Sequence, residues 1–359
     1  MLKKNISSVE LAALLQELQG LVKGRISQLY NYGQGFLFQL HTLLGKQFLR
    51  ILPGKFLNLT QKEQVPLAPS SFCMQLRKYL ENATVTRIEQ WEGERIAILR
   101  IQKDQEYLLL IEFFSQGNVI LTDAHLQIIA VQERQEWKDR VLKPGETYHP
   151  PPSPANWKTI TEAELLSLLQ RSQKKSIIIA LARELGLGGT AAEEICRRSG
   201  VSKEIPPSAT LPVQARQLCQ SLETLRTAIQ HPQGYVYAED ITPYPLQDRK
   251  PEQVTATFNE ALNLLRPAEK ISPYQKKKSS LEKQILFQQE AIAHLQEKIV
   301  QESRKGELIY ENYPELQQLL LQIQELRKAS SWEETAQQIK KDKRIKNMDL
   351  REKKVMITL

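Results

Sequence analysis

The chain has 359 residues, 41% of them hydrophobic and 25% charged, with a formal net charge of +8. That length exceeds one ordinary core and implies two or three domains, while the longest apolar runs, 107–114 and 176–182, are far too short to span a bilayer. Cys73, Cys196 and Cys219 are odd in number and far apart, with no CxxC spacing and no histidines clustered near them. This argues against a disulfide framework or a zinc site and fits a reducing cytoplasm.

The charge is concentrated at the two ends. Residues 1–60 carry seven Lys/Arg against two Glu, and residues 340–354 carry eight Lys/Arg against three acids, a local +5 in each case. Two basic patches on a near-neutral body suit a polyanion touched at two places. Charge alone equally allows Lys-rich ends that only keep the chain soluble. The cations that would touch such a polyanion are Lys3, Lys4, Lys23, Arg25, Arg77 and Lys78 in the first half, with Lys340, Lys341, Lys343 and Arg344 near the end.

The start, MLKKNISSVELAALLQEL, lacks a long apolar core and a small-residue cleavage site, so it reads as mature protein and not as a signal peptide. Residues 7–22 form an amphipathic helix, with Ser7 or Ser8 as the cap and Leu11, Leu14, Leu15 and Leu18 on one face. Four short strand patterns follow, separated by Gly33, Gly35, Gly45 and Pro53-Gly54. A helix is expected over 71–82, with Phe72, Leu76 and Leu80 on one stripe. Further strands follow up to about residue 131. The first 150 residues therefore read as α+β, with helices flanking a mostly antiparallel sheet.

The proline run at 150–152 marks a domain edge. Helical patterns alone follow, at 161–171, 174–185, 190–198 and 211–230. The turn LGLGGTAAEEICRRSG, 185–200, joins two of them. Its glycines could bring backbone to a phosphate, but a tight helix–helix turn explains them as packing. Residues 234–246 return to strand character and are expected to rejoin the first sheet, which makes the helical block an insert. From 273 on, Leu281, Ile285, Gln288, Ile292, Leu295 and Ile299 follow a 4-3-4-3-4 spacing. Ile309, Tyr313, Leu316, Leu320 and Ile323 continue it as 4-3-4-3. These are heptad seams with a break expected near 301–308. Either they fold back on each other near Gly306, or a long arm pairs with sequence outside this chain. Pro314 argues for a kink or a helix restart.

No catalytic constellation emerges. His41, His125, His149, His231 and His294 fit no metal spacing, and neither a GxSxG elbow nor a phosphate loop is present. GLGG at 186–189 follows a helix and not a strand, so it is no dinucleotide fingerprint. Glu193 and Glu194 are explained as surface pairs with Arg197 and Arg198. No cofactor is expected. The residues point to binding and not to an enzyme.

Five segments, 70–96, 116–129, 140–152, 185–200 and 304–313, resemble in order the NFACT family. These are the Rqc2/NEMF/RqcH-type ribosome quality-control factors, long labelled fibronectin-binding proteins. Leu49 to Lys55, LRILPGK, looks closest to the archaeal branch. The resemblance implies a glycosylase-like (Fpg/Nei-type) α+β domain over 1–155 and a helix-hairpin-helix (H2TH-like) domain over 156–232. It further implies a return segment to the sheet over 233–270 and the first part of a middle coiled coil over 271–359. The sequence stops before the return arm and RNA-binding domain of such relatives, so a shortened or split protein with weakened binding is expected. The implied partners are the large ribosomal subunit obstructed by peptidyl-tRNA, its rRNA, and tRNA recruited for C-terminal tailing, with no membrane and with peptidyl transfer left to the ribosome.

The resemblance also gives a role to Glu94 and Arg95, which stand where the family carries an Asp-Arg pair for tRNA engagement. Arg95 would fork onto phosphate or a base edge, and Glu94 would orient it. If both lie on a strand they point to opposite faces and pair poorly. Two rival readings are a nucleic-acid-binding protein of glycosylase fold with no ribosome role, and a surface adhesin. The first lacks the N-terminal Pro-Glu and the zinc spacing of such enzymes, and the second lacks a secretion signal and an anchor.

Overall fold

The strand patterns at 25–60 and 84–131 combine into one antiparallel sheet. In the computed structural model, which describes residues 5–61, 69–137, 140–152, 155–264, 273–339, 345–349 and 354–357, the first four strands are β1 (Arg25–Tyr32), β2 (Gly35–Thr42), β3 (Gly45–Leu52) and β4 (Phe56–Thr60). The remaining five are β5 (Thr84–Gln90), β6 (Ile96–Gln102), β7 (Glu106–Glu112), β8 (Asn118–Asp123) and β9 (Ile128–Val131). Their order is β4-β3-β2-β1-β5-β6-β7-β8-β9. The meander is interrupted once, by helix α2 (Ser71–Leu80), after which β5 pairs with β1 and not with β4. The sheet curls until distant turns meet: Gly54 N–H donates to the Glu112 carbonyl at 3.1 Å, and Gln132 donates to the Gln34 carbonyl at 2.7 Å. One core fills the curl, built on Leu29, Phe38, Leu49, Leu99, Leu109 and Leu121. The Phe72, Leu76 and Leu80 stripe of α2 packs into it.

Helix α1 (Ser8–Glu17) is closed by a capping box in which Ser7 and Glu10 satisfy each other's backbone N–H groups. It is apolar on two sides. Leu11, Leu14, Leu15 and Leu18 enter the sheet core, while Val9, Ala12 and Ala13 enter a second core. That second core belongs to the helical block, α3 (Glu162–Arg171), α4 (Ile177–Arg183), α5 (Gly189–Ser199) and α6 (Pro212–Ala228), and contains Leu165, Leu181, Ile195 and Leu218. A small hairpin of β10 (Gln135–Trp137) and β11 (Arg140–Leu142) precedes this block.

The 234–246 segment does not rejoin the nine-stranded sheet. Strand β12 (Gly234–Val236) pairs with β13 (Ile241–Thr242) and β14 (Gln253–Thr255) in a separate three-stranded sheet. Its apolar residues divide between the two cores: Ile241 goes to the sheet core, and Tyr237, Tyr244 and Leu246 to the helical one. Burial of side chains against both bodies replaces a shared ladder. Helix α7 (Phe258–Asn263) then docks on the sheet core through Phe258, Ala261 and Leu262. The Glu17 carboxylate accepts the Phe258 and Asn259 N–H groups, both at 2.7 Å.

These elements form one compact unit, Met1–Glu269, and Lys270–Leu359 forms another. In the second, α8 (Pro273–Glu311) runs straight through Gly306, so neither the break expected at 301–308 nor a fold-back there occurs. The interruption falls at Asn312, and α9 (Tyr313–Ala329) restarts with Pro314 in its first turn, where a missing N–H costs nothing. Leu281, Ile285, Ile292, Leu295 and Ile299 of the first seam are exposed. A small core of Leu319, Ile323 and Ile339 joins α9 to α10 (Trp332–Ile339), with Ile345 and Val355 from the hairpin β15 (Ile345–Asp349) and β16 (Lys354–Ile357) packed against it. The fold class is α+β. No helix among the described residues is long and apolar enough to cross a membrane.

Candidate nucleic-acid interface

Glu94 and Arg95 lie in the turn between β5 and β6, just before the first residue of β6. The turn is closed by Trp91 N–H to the Ile96 carbonyl and Glu94 N–H to the Trp91 carbonyl, both at 2.9 Å. Three neighbours hold it. Trp157 donates its indole N–H to the Gly93 carbonyl at 3.0 Å. Gln90 donates to the carbonyls of Glu94 at 2.7 Å and of Ser8 at 2.9 Å. Phe113 N–H donates to the Arg95 carbonyl at 2.9 Å. Position 93 needs glycine because a Cβ there would stand 2.8 Å from Trp157 Cδ1.

Since the pair sits in a turn, strand alternation does not separate the two residues, and both line the same cleft of about 600 Å³. The Arg95 side chain is half-buried, and no hydrogen bond or ion pair ties its guanidinium to any described residue. Burial lowers its pKa from the usual guanidinium value, and the Glu94 charge opposes that shift. Arginine stays protonated under such conditions. The site therefore holds a partly desolvated cation that no described residue hydrogen-bonds or ion-pairs, with only the nearby Glu94 charge acting on it, a group that gains from meeting an anion.

The opposite wall comes from the helical block. Arg183 and Glu184 at the end of α4, then Gly186, Gly188, Gly189 and Thr190 at the start of α5, line the cleft. Gly188 caps α5 with φ 84° and no side-chain hydrogen bond, and a Cβ on it would lie 3.0 Å from Ser7 Cβ. Gly188 thus serves a close packing approach, whereas a Cβ on Gly189 would meet nothing within 4 Å, and the start of α5 presents its first N–H groups at the cleft. Glu10 also lines the cleft but is engaged in the α1 capping box, and Asp240 accepts a hydrogen bond from the Thr190 hydroxyl at 2.8 Å. Glu94, Glu239, Asn5 and Ser7 complete the polar lining. Forked cations and helix-start N–H groups suit phosphate, while carboxylates accept from base amino groups or a ribose 2′-OH. Among the described residues, no group of three or more His, Cys, Asp or Glu is placed to hold a metal.

The other sequence-predicted cations are not gathered here. Arg25 pairs with Thr84 at the start of β5, whereas the cleft follows that strand's end, about 20 Å away for seven residues. Lys23 lies beside Arg25, its N–H bonded to the Val85 carbonyl at 2.7 Å. Arg77 is engaged within the fold: Nε donates to the Leu29 carbonyl at 2.8 Å, and the guanidinium lies 6.0 Å from the Tyr30 ring centroid. Lys78 is exposed, 5.3 Å from the Tyr79 ring centroid. Lys3, Lys4, Lys340, Lys341, Lys343 and Arg344 lie outside the described residues. Sequence reasoning missed Trp157, Arg183, Thr190 and Asp240. Only Trp157, a lone aromatic just after the proline run, carried a readable signal.

Residues 7–358 match the family described as NFACT N-terminal and middle domains. An archaeal Rqc2 homolog, aRqcH from Methanocaldococcus jannaschii, is 27% identical over 95% of this chain, and the match covers 55% of that protein. The Rqc2 homolog RqcH of Streptococcus pneumoniae is 30% identical over 51% of this chain and 37% of its own length. The chain thus spans about half the length of the archaeal relative. In fold, it is similar to the N-terminal part of the fibronectin/fibrinogen-binding protein of Streptococcus suis, with a TM-score of 0.59 at 21% identity, over 72% of this chain and 98% of that one. The match across nearly every residue makes this chain a member of the NFACT N-terminal and middle domain family.

Proposed function

We propose that the protein is a ribosome quality-control factor that binds the large ribosomal subunit obstructed by peptidyl-tRNA and engages tRNA through the cleft between the β5–β6 turn and the start of α5. The observation that carries this reading is Arg95, a half-buried guanidinium with no hydrogen bond or ion pair to any described residue, which lines the cleft together with Arg183. The names of the relatives, Rqc2 homologs in archaea and bacteria, support the ribosomal setting. On this reading Arg95 contacts a phosphate or base edge, Glu94 orients it, and the ribosome performs any peptidyl transfer during tailing. The domain division follows the same reading: 1–155 as the α+β domain, 156–232 as the helix-hairpin-helix domain, 233–270 as a segment that returns to pack on the α+β core without joining its sheet, and 271–359 as the start of the coiled coil. The basic residues at 340–354 add contacts to rRNA.

The test is to isolate the protein from its own cells and sequence the RNA that copurifies. The reading expects large-subunit rRNA together with tRNA, both depleted by Arg95→Ala. Recovery of neither, or recovery unaffected by the substitution, would reject it.

A further inference from the structure

The far end of the sheet carries a feature that the cleft does not use. Strands β2 and β3 are joined by a two-residue tip, Leu43 and Leu44, exposed to 95% and 76%. Leu43 is the most exposed large apolar side chain among the described residues. The tip is firmly built: the ladder is paired up to Thr42 and Gly45, and the Thr42 hydroxyl accepts the Leu44 N–H and donates to the Gly45 carbonyl, both at 3.1 Å. Hairpin tips of this length favour Asn, Asp and Gly, which satisfy the turn and meet water. Two leucines held out on a rigid tip break that local rule without any gain in packing, as residues at binding sites do.

The surroundings are cationic. Between Glu17 and Glu63 the sequence contains no Asp or Glu at all, so strands β1 to β4, which include the tip, have no carboxylate of their own. His41 and Lys46 flank the leucines along the hairpin, and Arg25, which pairs with His41, brings Lys23 alongside. All four side chains are exposed.

We propose that this tip is a second RNA-binding surface, in which Lys23, Arg25, His41 and Lys46 hold phosphates while Leu43 and Leu44 wedge against an unpaired base. The charges of Lys23, Arg25 and Lys46, with no carboxylate on β1–β4 between them, favour a polyanion. The apolar part is two side chains wide, the size of a wedge at one base step. A protein partner or a bilayer interface buries a broader apolar face and draws on aromatic anchors, which this tip lacks. The inference stands apart from the cleft, at the opposite end of β5.

The experiment measures affinity of the full chain for two synthetic RNAs, a hairpin with one bulged adenosine and the same stem fully paired. Leu43→Ser with Leu44→Ser should weaken binding of the bulged RNA about tenfold and leave the paired stem nearly unchanged. Lys46→Glu should weaken both and reduce the slope of log K against log salt by about one. Arg95→Ala serves as the separate arm for the cleft: its effect should add to that of the tip variants, so that either site can fail alone. If the double serine variant melts below the wild type, Leu43→Ser alone is read in its place. Unchanged affinity of the serine variants for the bulged RNA overturns the proposal.

Discussion

Trp157 and Gly93 meet through one hydrogen bond, indole N–H to carbonyl at 3.0 Å, and this contact fixes the turn bearing Glu94 and Arg95 against the helical block. The indole is buried, so its N–H needs that acceptor. Gly93→Ala would place a methyl 2.8 Å from Trp157 Cδ1 and force the ring or the turn to move. We expect a loss of about 1–3 kcal/mol in unfolding free energy, together with a change in tryptophan fluorescence, measured by urea titration. A variant with wild-type stability would show that the contact has more slack than its geometry allows.

A second support lies behind Arg95. The Arg140 guanidinium sits 5.1–5.9 Å from the rings of Phe114, Trp137 and Tyr148 and pairs with the buried Glu112 carboxylate, which also accepts the Tyr148 hydroxyl. Glu112 ends β7, and the next residue, Phe113, holds the Arg95 carbonyl. Arg140→Ala leaves that carboxylate buried without its counter-charge and should cost about 3–5 kcal/mol. Adding Glu112→Gln should restore part of the loss in chemical denaturation. If the double variant is no better than the single, the stacking of Arg140 on the rings is the larger contribution.

Glu17 gives a pH prediction. Burial raises its pKa from 4.5 to about 7, against the Phe258 and Asn259 N–H groups, which lower it. The folded protein therefore binds more protons than the unfolded chain between those two values, and stability contributed by this group falls as pH rises through that window. Glu17→Gln should flatten the decline, read as unfolding free energy at pH 5 and pH 7 (about one step on either side of the midpoint). Parallel pH profiles for variant and wild type would remove Glu17 as its source.

Much of this fold was legible. The serines at 7 and 8 announced the start of α1, with the structure choosing Ser7 as the cap, and the Leu11, Leu14, Leu15 and Leu18 face reached the core as spaced. What the pattern could not carry were choices between competing neighbours. Residues 234–246 look like strand, but whether they join the large sheet or form their own is decided by two cores drawing Ile241 one way and Tyr244 the other. The helix interruption followed Pro314 and not Gly306, because a glycine inside a helix costs only about 1 kcal/mol while a proline needs a first-turn position. At the cleft, Glu94 and Arg95 could be singled out from sequence. Arg183 could not, because it faces the cleft only through the tertiary approach of Gly188 to Ser7.

Gly188→Ala probes that approach. It adds a Cβ 3.0 Å from Ser7 Cβ at a φ of 84°, so backbone strain and crowding act together, costing on the order of 1–3 kcal/mol. RNA affinity should fall together with stability, because the start of α5 is displaced from the cleft. Lower stability with undiminished RNA binding would detach the α5 start from the interface.

The most direct measurement is tRNA affinity of Arg95→Ala beside Arg95→Lys and Glu94→Gln. The Arg95 side chain makes no hydrogen bond to any described residue, so its removal should leave the melting temperature unchanged. Binding should weaken by about 1–3 kcal/mol, as for a lost bidentate contact. Lysine should restore only part of it, lacking the planar fork, and Glu94→Gln should weaken binding less than Arg95→Ala. A folded Arg95→Ala protein that binds tRNA like the wild type would contradict the account.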